Sequence, residues 1–264
     1  MAKAIARKKR TFARFFLDRP LGALYFDPMV MLYMIRHGQA SFGQENYDRL
    51  SQKGVSQMRA LAAYLSDISL EIDAVYSGPL ERQKSSALEV ISSCREFGKK
   101  IPDMVVVEGL TEFDYRSVLA SQVPDMVKED PSLNDHLQKI YTDGSSFQKV
   151  FGAAVLRWVS GRFDKPGVET WEDFSAKTWS ALTGIASAQG SGHNILVFTS
   201  GGCIAAAIQH ALDLSSEHAV RLNWQLFNSS ITKFAYRKTK LTLAGYNAIA
   251  HLELKKEKTL ITYR

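Results

Sequence analysis

The stretch from Met29 to Ser41, MVMLYMIRHGQAS, limits the possible folds more than any other part of this chain. Val30, Met31, Leu32, Tyr33, Met34 and Ile35 form an unbroken apolar run. It is too short to cross a bilayer and does not alternate with polar residues, which suits a strand covered on both faces in a parallel sheet. The run stops at Arg36-His37-Gly38. A cation and an imidazole at the carboxyl end of such a strand stand where open α/β sheets hold their ligands, and the glycine lets backbone approach closely. Three letters fit a surface turn equally well, so the reading depends on whether later residues converge on them.

The rest of the chain supplies the partners of that strand. Phe42 to Leu50 reads as a loop. Ser51 to Leu65 reads as a helix capped by Ser51, with Val55, Met58, Leu61, Ala62 and Leu65 on one face. Ile72 to Tyr76 is a strand closed by Ser77-Gly78-Pro79, Leu80 to Cys94 a helix, and Met104 to Val107 a strand. This alternation predicts an α/β fold: a doubly wound, mostly parallel sheet flanked by helices. Residues 115–165, with Pro124 and Pro131, interrupt the rhythm and read as a mainly helical insertion over one end of the sheet, with a helix at Phe147 to Val159. Such an insertion either shapes a substrate pocket or serves as plain cover. Trp171 to Ala188 is a further helix and Asn194 to Thr199 a buried strand. Ser200-Gly201-Gly202 then turns into the helix Cys203 to Leu212. Ile231 to Tyr236 and Leu241 to Tyr246 are late strands joined by the basic turn Arg237 to Lys240.

Composition narrows the function classes. The hydrophobic share of 45% and charged share of 23% are those of a soluble globular protein. Two cysteines, Cys94 and Cys203, suit neither a disulfide framework nor a zinc site, which points to a reducing compartment: the cytoplasm, or a mitochondrion if the source is eukaryotic. The net charge of +6 is concentrated: residues 1–28 carry seven cations against two anions, a net of +5 that leaves +1 for the rest of the chain. A nucleic-acid partner is therefore not expected. The division is a basic extension, 1–28, and one α/β domain, 29–264. The extension, where Ile5, Phe12, Phe15, Phe16 and Leu17 interrupt the cations, reads as an amphipathic helix for peripheral membrane contact, a presequence, or an extension with no specific role.

The strand ends carry the chemistry. Arg36 and His37 follow the first strand, Arg82 opens the helix after the second, Glu112 follows the third, and Ser200-Gly201-Gly202 follows the fourth. In a doubly wound sheet these ends meet in one crevice. Guanidinium forks match phosphate oxygens, and a helix start offers N–H groups to an anion. A neutral imidazole can attack phosphorus and later release the phosphoryl group to water. A carboxylic acid can protonate the departing oxygen. The scheme requires neither a divalent metal nor a cofactor.

Leu32-Tyr33-Met34-Ile35-Arg36-His37-Gly38-Gln39 resembles the strand and nucleophile signature of the histidine phosphatase superfamily, the phosphoglycerate mutase-like proteins. Ser77-Gly78-Pro79-Leu80-Glu81-Arg82 resembles its second-arginine segment, and Gly109-Leu110-Thr111-Glu112-Phe113-Asp114 its acid segment. The resemblance runs from about Met31 to the C-terminus. It implies His37 as the phosphorylated nucleophile, Arg36 and Arg82 as phosphate ligands and Glu112 as proton donor; on the residues alone Glu108 and Asp114 are alternative donors, since sequence does not set the loop's conformation. The family's second histidine, in a strand-Ser-His-Gly-Gly segment, is matched here by Ser200, which with Gly201 is expected to bind phosphate. His251 is the candidate auxiliary group; otherwise it is a histidine satisfied at a domain edge. His136, His193, His210 and His218 are expected in structural or solvent roles.

The expected activity is a metal-independent phosphomonoesterase acting on a small phosphorylated molecule or a phosphoprotein. Two alternatives stand beside it. One is a phosphoglycerate mutase-like phosphotransferase, against which Ala40 and Gly43 stand where that branch has Ser and Asn. The other is a weakly active or inactive module that binds phosphorylated ligands. The sequence assigns no oligomeric state.

Overall fold

In the computed structural model the described residues are 29–41, 48–140 and 142–263; the basic extension, Gly43 and most of the Phe42 to Leu50 loop lie outside them. The elements are β1 (Val30–Arg36), α1 (Gln52–Asp67), β2 (Ala74–Ser77), α2 (Glu81–Glu96), β3 (Met104–Val106), α3 (Tyr115–Glu129), α4 (Leu133–Leu137), α5 (Gly144–Val159), α6 (Trp171–Ser187), β4 (Asn194–Thr199), α7 (Gly201–Leu212), α8 (Ser216–Asn223), β5 (Ile231–Arg237), β6 (Lys240–Ala248) and α9 (Ala250–Glu253). The six strands form one sheet in the order β3-β2-β4-β1-β5-β6. β4 runs parallel to both β1 and β2, and β2 parallel to β3, while β5 and β6 join as an antiparallel hairpin beside β1. Lys238 and Thr239 both take positive φ at the hairpin turn, the twist that a two-residue connection between antiparallel strands demands.

The unbroken apolar run of β1 follows from its central place. Leu32 and Met34 pack on one face with Val197, Ile204 and Ile208, under α6 and α7. Tyr33 and Ile35 pack on the other with Met58, Leu61, Val90 and Phe198, under α1 and α2. Each fully buried side chain of this size contributes roughly 1.5–3 kcal/mol relative to exposure, so both residue parities of β1 stabilise the sheet. A strand covered on one side would need apolar residues at alternate positions only.

The insertion α3–α5 packs as a helical layer over α7. Phe113, Trp158, Trp171 and Phe174 gather with Cys203, Ala205 and Ala206 in a third cluster. Trp158 and Trp171 meet edge to face at 5.5 Å. α7 starts two residues earlier than its apolar pattern suggests, with Gly201 and Gly202 in its first turn. Among the described residues no helix is long and apolar enough to cross a membrane.

Candidate active site

β1 delivers Arg36 and His37 to the carboxyl edge of the sheet. Arg36 pairs in register with Thr199 of β4, and the His37 N–H donates to the Thr199 carbonyl at 2.9 Å, which places the His37 turn beside Ser200. His37 is only 6% exposed. Its Nδ1 lies 2.7 Å from the Gly38 carbonyl, and its Nε2 lies 3.2 Å from Nε of Arg82. A carbonyl can only accept and a guanidinium can only donate, so Nδ1 carries the hydrogen and Nε2 presents its lone pair. Burial, then Arg82 and Arg36, hold the imidazole pKa well below its ordinary 6.5. The ring is therefore neutral at neutral pH. The turn is also tight: a Cβ on Gly38 would stand 2.7 Å from the Gly54 carbonyl at the start of α1, so a side chain there would force the two segments apart.

Arg82 comes from the first turn of α2, where Asp48 holds it. Its Nη1 is ion-paired with Asp48 at 2.5 Å, and the other oxygen of Asp48 accepts from the Glu81 N–H at 2.8 Å. One carboxylate thus caps a helix and orients a guanidinium. Sequence reasoning missed Asp48; its one local signal is that Leu80, at the cap position of α2, has no acceptor of its own, which leaves helix-start N–H groups to a distant partner. Arg36 donates through Nη1 to the Leu226 carbonyl, in the segment following α8.

Glu112 lies between a short 3-10 turn, Glu108–Leu110, and α3. Its Oε1 accepts from the Phe113 N–H at 3.1 Å and its Oε2 from the Gly202 N–H at 2.9 Å. These bonds, together with Arg82 and Arg36, lower the pKa, but burial outweighs them and raises it above the ordinary 4.5. The two other candidate donors sit differently. Asp114 caps α3, accepting from the Arg116 N–H at 3.0 Å and the Ser117 hydroxyl at 2.5 Å, and the Ser117 bond above all lowers its pKa. Glu108 is exposed on the 3-10 turn. Of the three, Glu112 is the one the fold brings to both arginines and the start of α7.

Ser200 and Gly201 stand at that start. Ser200 is 1% exposed, and its Oγ accepts from Nε2 of Gln83 at 2.8 Å. Gln83 is itself fully buried; its amide also donates to the Leu110 carbonyl at 3.1 Å and accepts from the Leu80 N–H at 3.2 Å. With Oγ accepting from Gln83, the Ser200 hydroxyl keeps its hydrogen for another acceptor. Sequence reasoning missed Gln83, whose signal was only its place next to Arg82. The helix start was expected to hold its N–H groups for an anion; that of Gly202 is instead taken by Glu112. The contact is close, since a Cβ on Gly202 would lie 2.1 Å from Oε1 of Glu112.

His251 is not joined by hydrogen bond to His37, Arg36, Arg82, Glu112 or Ser200. It is buried beside α1, near the Tyr64 ring, where its Nε2 shares a 2.7 Å hydrogen bond with the Ser229 hydroxyl, and burial pushes its pKa down to about 4. The Ser229 N–H in turn donates to the Arg36 and His37 carbonyls at 3.1 and 3.3 Å, so His251 reaches the site through one intermediary. His136 bonds Ser146 and Lys149, His218 bonds Ser215, and His210 stacks on Trp179, all as structural groups. His193 is partly buried at the turn before β4, where its N–H donates to the Gly190 carbonyl. Among the described residues no group of three or more His, Cys, Asp or Glu side chains is placed to hold a metal ion.

Comparison with known proteins accords with this geometry. A search of curated protein sequences finds no match. Among solved structures, the chain is similar to a phosphoserine phosphatase from Entamoeba histolytica in complex with 3-phosphoglyceric acid, at 22% identity over 85% of this chain and 100% of that one, with a TM-score of 0.58. It is also similar to a phosphoglycerate mutase from Bacillus anthracis, at 19% identity over 88% and 98% of the two chains and a TM-score of 0.55. A mycobacterial glucosyl-3-phosphoglycerate phosphatase aligns at 20% identity over 83% and 98%, with a TM-score of 0.56. These structures share the α/β fold described above. The family model described as histidine phosphatase superfamily (branch 1) matches residues 32–152 and 142–249, most of the chain and every strand-end segment discussed above, and the chain belongs to that superfamily.

Proposed function

We propose that the chain is a phosphomonoesterase that works through a phosphohistidine on a small phosphorylated substrate. The observation that carries this reading is the state of His37: buried, neutral, with Nδ1–H held by the Gly38 carbonyl and the Nε2 lone pair directed at Arg82. A substrate phosphoryl group placed between Nε2 and Arg82 exchanges one guanidinium contact for another. The Nε2 lone pair forms the N–P bond while the bond from phosphorus to the leaving oxygen breaks, and Glu112 gives that oxygen its proton. The imidazole then carries positive charge, stabilised at Nδ1–H by the Gly38 carbonyl. In the second step water attacks phosphorus, the Glu112 carboxylate takes a proton from it, and the N–P electron pair returns to Nε2 as phosphate departs. Arg36 and Arg82 offset charge on the equatorial oxygens in both steps, so the scheme draws its cations from the chain itself.

In this reading Ser200 stands where the family's second histidine would be, and donates one neutral hydrogen bond to the phosphoryl group. That loss of a cationic ligand favours one competing reading, a slow or inactive module that binds phosphorylated ligands. The mutase reading has less support: Ala40 is a buried apolar residue bridged to Leu50 and offers no hydroxyl to a sugar acid. The test is hydrolysis of 4-nitrophenyl phosphate in the presence of a chelator. The expected result is turnover that persists in chelator and vanishes in His37→Ala, with an acid-labile phosphorylated protein trapped from the wild type. Full activity in His37→Ala overturns the mechanism; ligand binding with no trapped phosphoprotein and no turnover favours the binding module.

A further inference from the structure

A closed polar network lies beneath the nucleophile turn, built from three parts of the chain far apart in sequence. Gln57 of α1 is fully buried; its Oε1 accepts from the Gln39 N–H at 2.8 Å, and its Nε2 donates to the Leu260 carbonyl at 2.6 Å and to the Thr262 hydroxyl at 2.9 Å. Asn228, equally buried, donates through Nδ2 to the His37 carbonyl at 3.4 Å and through its backbone N–H to the Thr262 carbonyl at 2.8 Å. The Thr262 hydroxyl closes the network by donating to Oδ1 of Asn228 at 2.8 Å. The two amides therefore hold the turn from both sides of Gly38, at the His37 carbonyl and at the Gln39 N–H.

The two amides are coupled because one atom between them both accepts and donates. The Gln39 N–H takes Oε1 of Gln57 and the Leu260 carbonyl takes its NH2, which turns that NH2 toward the Thr262 hydroxyl as well. The His37 carbonyl takes the NH2 of Asn228, which leaves Oδ1 for the Thr262 hydroxyl. A hydroxyl satisfies both demands; a methyl satisfies neither. We propose that Thr262 is a positioning residue for the nucleophile, setting through Gln57 and Asn228 the direction of the Gly38 carbonyl that fixes the His37 ring. The network binds no substrate, so its influence falls on ring orientation and turnover.

The activity arm of the test rests on the phosphatase reading, and a spectroscopic arm does not. In the full-length chain, Thr262→Val keeps the side chain's size and removes the hydroxyl, while Thr262→Ser keeps the hydroxyl. The expected result is a kcat for 4-nitrophenyl phosphate lowered on the order of tenfold in Thr262→Val, with KM within about twofold of wild type and recovery in Thr262→Ser. The His37 Nδ1–H signal in the nitrogen-correlated NMR spectrum should shift or broaden in Thr262→Val and return in Thr262→Ser. Wild-type kcat and an unmoved His37 signal in Thr262→Val overturn the proposal. A wild-type chain without hydrolysis overturns the phosphatase reading instead, and the NMR signal alone then decides the positioning role. Should Thr262→Val fail to fold, Thr262→Ala, which leaves room for a bridging water, is read by the same two measurements.

Discussion

At Glu112 two opposing influences meet, and the balance sets its chemistry. Two backbone N–H groups and two arginines favour the carboxylate, yet burial wins and raises the pKa. At His37 burial and the arginines act in the same direction, lowering the pKa. The pair is thus displaced toward a neutral base and a protonated acid, the states the proposed first step needs. For kcat/KM on an alkyl phosphate, the acid limb is expected below pH 6.5, where His37 takes up a proton. The alkaline limb is expected above pH 4.5, where Glu112 loses its own. Glu112→Gln keeps the shape but releases no proton. It should cost on the order of 10²–10⁴-fold on an alkyl phosphate and far less on 4-nitrophenyl phosphate, whose leaving group departs unprotonated. Equal losses on the two substrates would remove Glu112 from the acid role.

At the scale of the element, α2 concentrates polar function on one turn and a half. Arg82 and Gln83 face the site, and the Ser86 hydroxyl accepts from the Gly38 N–H at 3.0 Å. The helix is steered by Asp48, which holds both its first N–H and Arg82. Asp48→Asn keeps an acceptor for the Glu81 N–H and gives up the ion pair, so the two duties separate. The expected outcome is a melting temperature close to wild type and inhibition by inorganic phosphate weakened by roughly 1.5 kcal/mol, about tenfold in Ki. An unchanged Ki, measured at constant ionic strength, would mean that Arg82 keeps its orientation without Asp48. The helix was readable from its apolar spacing, since burial of one face is a property of neighbours three and four apart. Its cap was not, because the acceptor lies 33 residues away.

For the whole molecule, the buried histidines link stability to pH. His251 is 1% exposed and its pKa is pushed down to about 4 by burial. Above pH 6.5 neither the folded nor the unfolded chain protonates it. As pH falls from 6.5 toward 4, the unfolded chain takes up a proton that the folded chain refuses, and stability is lost over that window, up to about 3 kcal/mol. Urea unfolding at pH 7 and pH 4.5 should show a smaller loss in His251→Gln than in wild type. His37, also depressed, acts in both proteins and cancels in the comparison. Identical losses would show that His251 stays accessible to protons in the folded state.

The sequence by itself determined β1, the alternation of strands and helices, and the segments carrying Arg36, His37, Arg82 and Glu112. Burial on two faces or one writes itself into the order of neighbouring residues, and the strand-end segments are short and contiguous. Tertiary structure alone decided what those residues touch. The Gln83 bond to Ser200 spans 117 positions and the Gln57 bond to Thr262 spans 205. Nothing local distinguishes Gln57, Asn228 or Thr262 from surface polar residues, and nothing local settles whether His251 joins the site. Their roles follow from where the fold carries α1, the segment before β5 and the segment after α9, which meet beneath the His37 turn. The stretch from Met29 to Ser41 therefore specifies the strand that carries Arg36 and His37, while the surroundings of the His37 ring are set by residues brought to it only when the chain folds.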